Sequence, residues 1–285
     1  MSTGAECASG SLREDERRTG LGHSAGAALR FLLTCWKVNL ASAMEYRLSF
    51  VLLAGMMFLN NFIWLFFWHL FFERFPAVQG WELRDVMMLW GISAGGFGWA
   101  SVLFGNFHRI ASIVSSGQLD VYLAQPKPVL LNVLASRMSV TAAGDFVFGV
   151  VIYFLAGDLS LRGAMLFVLG LLIAGLLFMA VMVAAGSAAF FVGNSEGLSQ
   201  QLFNIFLALT TYPSGIFRGF AKLMLFTIVP AGFISYMPIG LLRDFDPAFA
   251  AGAIGMTLLF GAAGIGLFRA GLRRYASGNA LAMRS

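Results

Sequence analysis

The chain has 285 residues, of which 59% are hydrophobic and only 12% are charged, and its mean hydropathy is +0.79. Soluble domains carry about 25% charged residues because their surfaces face water. The composition therefore excludes a soluble enzyme, a disordered chain and a disulfide scaffold, and it predicts an all-α integral membrane protein. The net charge of +5 is interpreted as a topological bias of basic cytoplasmic loops, and no nucleic-acid partner is predicted.

The N-terminal part of the chain precedes any long apolar run. Residues 1–24 are charged and lack an apolar core, so they are predicted to form a disordered cytosolic tail rather than a signal peptide. Residues 25–47 carry Arg30, Thr34 and Lys37 at helical spacing on an otherwise apolar segment. This pattern predicts an amphipathic elbow helix on the inner membrane surface, the alternative being a packed helix of a cytosolic subdomain.

Six of the apolar segments that follow are interpreted as membrane spans, each of which needs about 20 apolar residues. They are residues 48–72, 86–107, 139–156, 163–195, 198–216 and 247–268. Basic residues lie at both ends of the chain, and this distribution favours an even number of crossings with both termini in the cytoplasm. The C-terminal residues 276–285 are predicted to be a second cytosolic tail.

A seventh apolar segment, 223–242, is predicted to re-enter the membrane rather than to cross it. Pro230 and Pro238 each remove a backbone donor, and such breaks persist at membrane depth only when protein covers them. We expect a re-entrant region at 219–242, preceded by Pro213, that acts as a gate. The predicted fold of residues 25–275 is therefore six transmembrane helices with an N-terminal interfacial elbow helix and a re-entrant hairpin before the last span.

The predicted cytosolic loop 108–137 contains a candidate docking surface. Two apolar triplets share the spacing of a helical face, and a chain break at Gly117 would turn both to the same side. Arg109 and Asp120 would supply a polar rim. The alternative is that these faces lie on the membrane surface. The triplets are Ile110, Ile113 and Val114, then Leu119, Tyr122 and Leu123.

Motifs for catalysis are scarce in this sequence. It has no Gly-Lys dipeptide, and so no phosphate-binding loop for ATP, and it has no metal-ligand motif; neither a metal site nor a cofactor is predicted in this chain. Ser93, between Gly91 and Gly95, matches the pattern of a nucleophile elbow and leaves an intramembrane serine hydrolase as one alternative. The two glycines are also typical of a helix contact of the G-x-x-x-G kind.

Asp145 is the one carboxylate well inside a predicted span. Because burying a charge in the membrane is costly, such a residue is by default functional or paired. We interpret it as a structural residue, since no second acidic residue or histidine is predicted at its depth. A proton-coupled secondary transporter built on Asp145 is the alternative.

The run 116–128, SGQLDVYLAQPKP, resembles the first cytosolic loop of the permease subunits of type-2 ATP-binding cassette exporters. Residues 45–47, 212–217 and 228–238 are similar to other parts of the same export permeases. The resemblance covers about residues 28–275 and implies six spans, an elbow helix and re-entrant helices before the last span. The coupling segment within 108–124 would then dock on a separate ATPase subunit.

The resemblance also implies partners and a location. A partner ATPase would bind ATP and Mg²⁺, and a second permease, identical or related, would complete the pathway. The protein would lie in the inner (plasma) membrane as a multi-pass protein with both termini in the cytoplasm. It would move an amphipathic, lipid-like, drug-like or saccharide substrate outward.

Overall fold

The computed structural model describes residues 26–192 and 195–275, so the predicted tails 1–24 and 276–285 lie outside the described residues. Helices make up 80% of the described residues, and these ranges contain no strand, only a bridge between Val78 and Trp81. In chain order the α-helices are α1 (26–45), α2 (Arg47–Arg74), α3 (Leu83–Leu103), α4 (Ile110–Ser115), α5 (Leu119–Leu123), α6 (Val129–Ala135), α7 (Thr141–Ala156), α8 (Leu161–Ser187), α9 (Ala189–Val192), α10 (Glu196–Thr210), α11 (Gly219–Thr227), α12 (Ala231–Ser235) and α13 (Pro247–Leu272).

Helix α1 is part of a compact unit that ends at Glu45. Its side chains Arg30, Thr34 and Lys37 are exposed, and the Thr34 hydroxyl donates to the carbonyl of Arg30 over 2.8 Å. Within the predicted range 25–47 the helix spans 26–45, residue 25 lying outside the described residues and Arg47 already belonging to α2. Its position on a membrane surface stays a prediction.

Four helices of the described ranges are long and apolar enough to cross a membrane. They are α2, α3, the stretch Leu161–Val192 that comprises α8 and α9, and α13. Helix α7 is apolar but has only 16 residues, and α10 has 15. At about 1.5 Å per residue each of these two covers roughly 22–24 Å, less than a hydrocarbon core of about 30 Å.

The structure corrects the bounds of three predicted spans. The span placed at 198–216 is helical only to Thr210, because Pro213 disfavours helical geometry in the residue before it and a short 3₁₀ turn follows at Ser214–Ile216. The span placed at 163–195 is interrupted at Ala188. The span placed at 86–107 starts and ends earlier, and the Asp85 carboxylate accepts from the N–H of Glu82 at its start, over 3.0 Å.

Glycines allow the central helices to touch through their backbones. A Cβ atom on Gly149 of α7 would lie 2.6 Å from the carbonyl oxygen of Gly91 and from the Cα of Gly95, both in α3. The interpretation of Gly91 and Gly95 as a helix contact is thus confirmed. Helix α8 approaches α3 through Gly96, so that α3, α7 and α8 form the interior of the bundle. Helix α13 packs against α8 but is largely exposed.

The predicted re-entrant region consists of three short pieces rather than one helix. Helix α11 is largely exposed, whereas α12 packs against α3, α8, α10 and α13. A π-helix, Pro238–Arg243, follows α12 and packs against α3, α8 and α13. Because α12 and the start of the π-helix are buried, the backbone breaks at Pro230 and Pro238 are covered by protein.

Candidate functional site

The predicted coupling segment folds as two short helices, α4 and α5, joined at Gly117. Gly117 has a φ of +76°, a left-handed conformation that glycine adopts without steric cost. The predicted break at this residue is therefore confirmed. Arg109 lies half-buried directly before α4.

The apolar faces of these two helices point into the protein rather than outward. Ile110, Ile113, Val114 and Leu119 are each at most 5% exposed, and α4 packs against α8, α9 and α10. A Cβ on Gly186 of α8 would lie 2.9 Å from the Cβ of Ile110. The prediction that both triplets face a partner is wrong for these four residues, because the chain's own helices cover them.

The outward side of the segment is formed by other residues. Val121 is 65% exposed and Leu123 is 42% exposed, while Tyr122 is half-buried and its hydroxyl forms a 3.0 Å hydrogen bond with the Ser136 hydroxyl. Of the two triplets, therefore, Leu123 alone is exposed. The exposed residues of the stretch 116–125 are Ser116, Gln118, Val121, Leu123, Ala124 and Gln125.

Asp120 ties this segment to the end of the last helix. The hydroxyl of Tyr275, three residues after α13, donates a hydrogen bond to the Asp120 carboxylate. Burial, this hydrogen bond and the negative charge of Asp120 together raise the pKa of Tyr275 to about 12. Tyr275 also packs edge-on against Phe190 of α9, with ring centroids 6.1 Å apart. The Asp120–Tyr275 contact therefore links α5 to α13.

His108 connects the same loop to α10. Its ring stacks on Phe203 of α10 with a centroid distance of 5.2 Å. Burial, with smaller contributions from the positive charges of Arg109 and Arg137, lowers the pKa of His108 to about 4. The ring is therefore neutral at physiological pH and serves as an aromatic contact.

Helix α6 holds the loop from the other side and was missed by the sequence reasoning. Pro128 stands directly before the first turn of α6. Proline near a helix start is the signal that could have found it. From α6, Asn132 donates to the side-chain oxygen of Gln125 over 2.9 Å. Asn106, which follows α3, donates to the carbonyl of Val133 over 3.0 Å.

Asp145 lies in the first turns of α7 and is 2% exposed. It accepts a hydrogen bond of 2.6 Å from the side-chain amide of Asn61 in α2. None of the ion pairs in the described ranges involves Asp145, and the described residues contain no cluster of His, Cys, Asp and Glu that could hold a metal ion.

The remaining candidate residues fall into two places. The Ser93 hydroxyl lies 2.8 Å from that of Thr210, which is not a general base, so the hydrolase interpretation is not favoured.

Pro213 begins the 3₁₀ turn after α10, Pro230 begins α12, and Pro238 begins the π-helix. Each of the three prolines thus stands at the start of a short helical element.

Comparison with known proteins gives one match. Residues 58–278 match the family model described as ABC-2 family transporter protein. No curated protein and no solved structure matches the chain. The matched stretch covers more than half of the chain, from Phe58 in α2 to beyond the end of α13.

Proposed function

We propose, from the premise that the chain belongs to the ABC-2 family of transporters, that it is the membrane subunit of an ATP-driven exporter. The chain is a multi-pass membrane protein and a permease. Permeases of this family are membrane subunits that are not themselves catalytic. Membership implies a partner ATP-binding cassette ATPase. The finer proposal is that this partner drives outward movement of a substrate through the helices described above.

The proposed topology has six crossings and places both termini in the cytoplasm. Four crossings are the long helices α2, α3, α8–α9 and α13, and the other two are the short helices α7 and α10. Both short helices pack against long neighbours, α7 against α2 and α3, and α10 against α8. A short span of this kind is accommodated by local thinning of the bilayer at modest cost. Helix α1 would lie on the inner surface as the elbow.

The coupling site is proposed to be the exposed side of α5. The single observation that supports this proposal is that one side of the segment is buried and the other is exposed. The inner side of the segment is buried against the helix bundle, whereas Val121 and Leu123 remain apolar and exposed. An apolar pair within a polar rim is typical of the core of a protein interface. Movement of the ATPase would then be transmitted through α4 to α8 and through Asp120 and Tyr275 to α13.

The segment 219–242 is proposed to re-enter from the outer side and to form the gate of the pathway. Its support is that α12 and the following π-helix are enclosed by α3, α8 and α13, as broken helices at membrane depth require. A second permease, identical or related, would complete the pathway, and the inner (plasma) membrane is the proposed location.

The test of the coupling site is a charge placed on its exposed apolar residue. Val121→Glu should leave the permease folded and inserted but release a co-expressed ATP-binding cassette ATPase during purification. The matched control is Leu159→Glu, which makes the same change at a residue of similar exposure, 64% against 65%, in the turn between α7 and α8. If both variants retain the ATPase and its substrate-stimulated hydrolysis, α5 is not the coupling element.

A further inference from the structure

A cavity of about 330 Å³ lies between α2, α3, α7 and α10, at the lower end of the sizes typical of small-molecule sites. Much of its wall is aromatic. The rings of Trp64 and Trp90 stack with centroids 6.1 Å apart, and Trp68 meets Tyr212 edge-on at 6.3 Å. Phe67 and Phe97 also line it.

The floor of this cavity contains the Asn61–Asp145 pair described above. Asn61 is 14 positions after the start of α2, which places it about 21 Å along that helix and near its middle. An amide hydrogen bond satisfies one carboxylate oxygen but does not balance the charge of a carboxylate at this depth, which remains costly. The cavity therefore contains an acidic group for which the described residues provide no cationic partner.

The other polar features of the lining indicate the sign of the charge that a ligand would carry. None of the residues that line the cavity is Lys, Arg or His, so an anionic ligand would find no counter-charge there. The indole nitrogen of Trp90 is buried and has no hydrogen-bond partner within the described ranges. Buried indole N–H groups normally find an acceptor, and a polar atom of a ligand would supply one.

We propose that this cavity binds an amphiphile bearing an ammonium group, whose charge pairs with the Asp145 carboxylate and whose apolar body lies against the tryptophans. Aromatic faces attract cations through the ring quadrupole. The aromatic wall therefore favours a positively charged ligand, as the carboxylate does. This inference rests on the proposed function, because it names the substrate class of the exporter. The ammonium group belongs to a free amphiphile or to an aminophospholipid headgroup.

The test uses the full chain in phosphatidylcholine nanodiscs and a matched pair of fluorescent probes. Dansylcadaverine carries a primary ammonium group, and its N-acetyl derivative is neutral with nearly the same body. Binding is followed by energy transfer from tryptophan to the dansyl group. We expect the wild-type chain to bind the amine at least tenfold more tightly than the acetylated probe, and equal affinities for the two would overturn the proposal.

Two substitutions and one control assign the effect to the cavity. Asp145→Asn should remove the preference for the amine while leaving the affinity for the acetylated probe unchanged. Trp64→Ala should weaken both probes, since it removes an aromatic face without altering charge. Glu73→Gln, on the exposed end of α2, should change neither. If Asp145→Asn keeps the full preference, or if Trp64→Ala has no effect, the ligand does not lie in this cavity.

The source of the ammonium group is decided by lipid composition. If phosphatidylethanolamine in the nanodiscs displaces the amine probe, the ligand is an aminophospholipid; if it does not, the ligand is a free amphiphile. Either result agrees with the proposed chemistry. The measurement needs no ATPase, so its failure leaves the proposed coupling intact, and failure of the Val121→Glu test leaves the cavity intact.

Discussion

Arg243 forms an ion pair with Asp85, with 2.5 Å between Nη1 of the arginine and Oδ2 of the carboxylate, although 158 positions separate them in the chain. The same Nη1 donates to the carbonyl of Gly80 over 3.2 Å. The Asp85 side chain is 7% exposed and that of Arg243 is 39% exposed. The pair fastens the end of the π-helix to the start of α3.

Arg243→Met should therefore destabilise the protein. It leaves a buried carboxylate without its cation, and for a pair that is half open to solvent we expect a loss of about 2 kcal/mol, below the value for a fully buried pair. The measurement is the thermal unfolding of the purified chain, with Arg74→Met at an exposed end of α2 as the control. The double variant Arg243→Met with Asp85→Asn should recover part of the loss, and no recovery would contradict the pairing.

The stability of the protein should depend on His108 at acidic pH. The ordinary pKa of histidine is about 6.5 and that of folded His108 is about 4, so between these values the unfolded chain binds a proton that the folded chain does not. Stability is therefore fully present above pH 6.5 and falls as the pH decreases toward 4, by at most about 3 kcal/mol.

His108→Phe keeps an aromatic ring against Phe203 but cannot be protonated. Its melting temperature should decrease less than that of the wild-type chain between pH 7.5 and pH 5. The matched control is His69→Phe, at an exposed residue in α2, which should follow the wild type. The same acid sensitivity in His108→Phe and wild type would show that His108 is not the titrating group.

Tyr275→Phe should loosen α5 from the end of α13. A hydrogen bond to a charged group contributes about 1.5–3 kcal/mol, so backbone amides in α5 should exchange their hydrogens roughly 10- to 100-fold faster. Hydrogen–deuterium exchange followed by mass spectrometry measures this directly. Tyr46→Phe, at a residue that is 71% exposed, is the control, and unchanged exchange in α5 would mean that Asp120 is held by other contacts.

Much of the helical architecture could be predicted from apolar runs, because a long uncharged segment has few other stable structures in a membrane. The errors lie where a single proline determines the start or the end of a helix. Pro213 ends the fifth predicted span at Thr210, six residues before its predicted end at 216, and Pro128 precedes a helix, α6, that was not predicted. The average hydropathy of a stretch of sequence does not detect the backbone geometry that a single proline imposes.

The candidate site was harder to predict than the fold, for a physical reason. Helical spacing tells which residues share a face, but the same spacing is produced by a face that binds a partner and by one that packs against the chain's own helices. Ile113 and Leu119 were for this reason assigned to the wrong side. The Asn61–Asp145 pair was also beyond sequence reasoning, because it depends on α2 lying beside α7, 84 positions away.

The close glycine contacts of the bundle interior join α3, α7 and α8, and α10 lies outside this group. Backbones that touch cannot shift without collision, so α3, α7 and α8 should move as one rigid block. Gly197, the glycine of α10, has no heavy atom within 4 Å of its Cβ position, and α10 contacts His108 through a ring. Helix α10 also lines the cavity through Asn204 and Leu207. It would therefore transmit movement of the cytosolic loop to the ligand bound in the cavity.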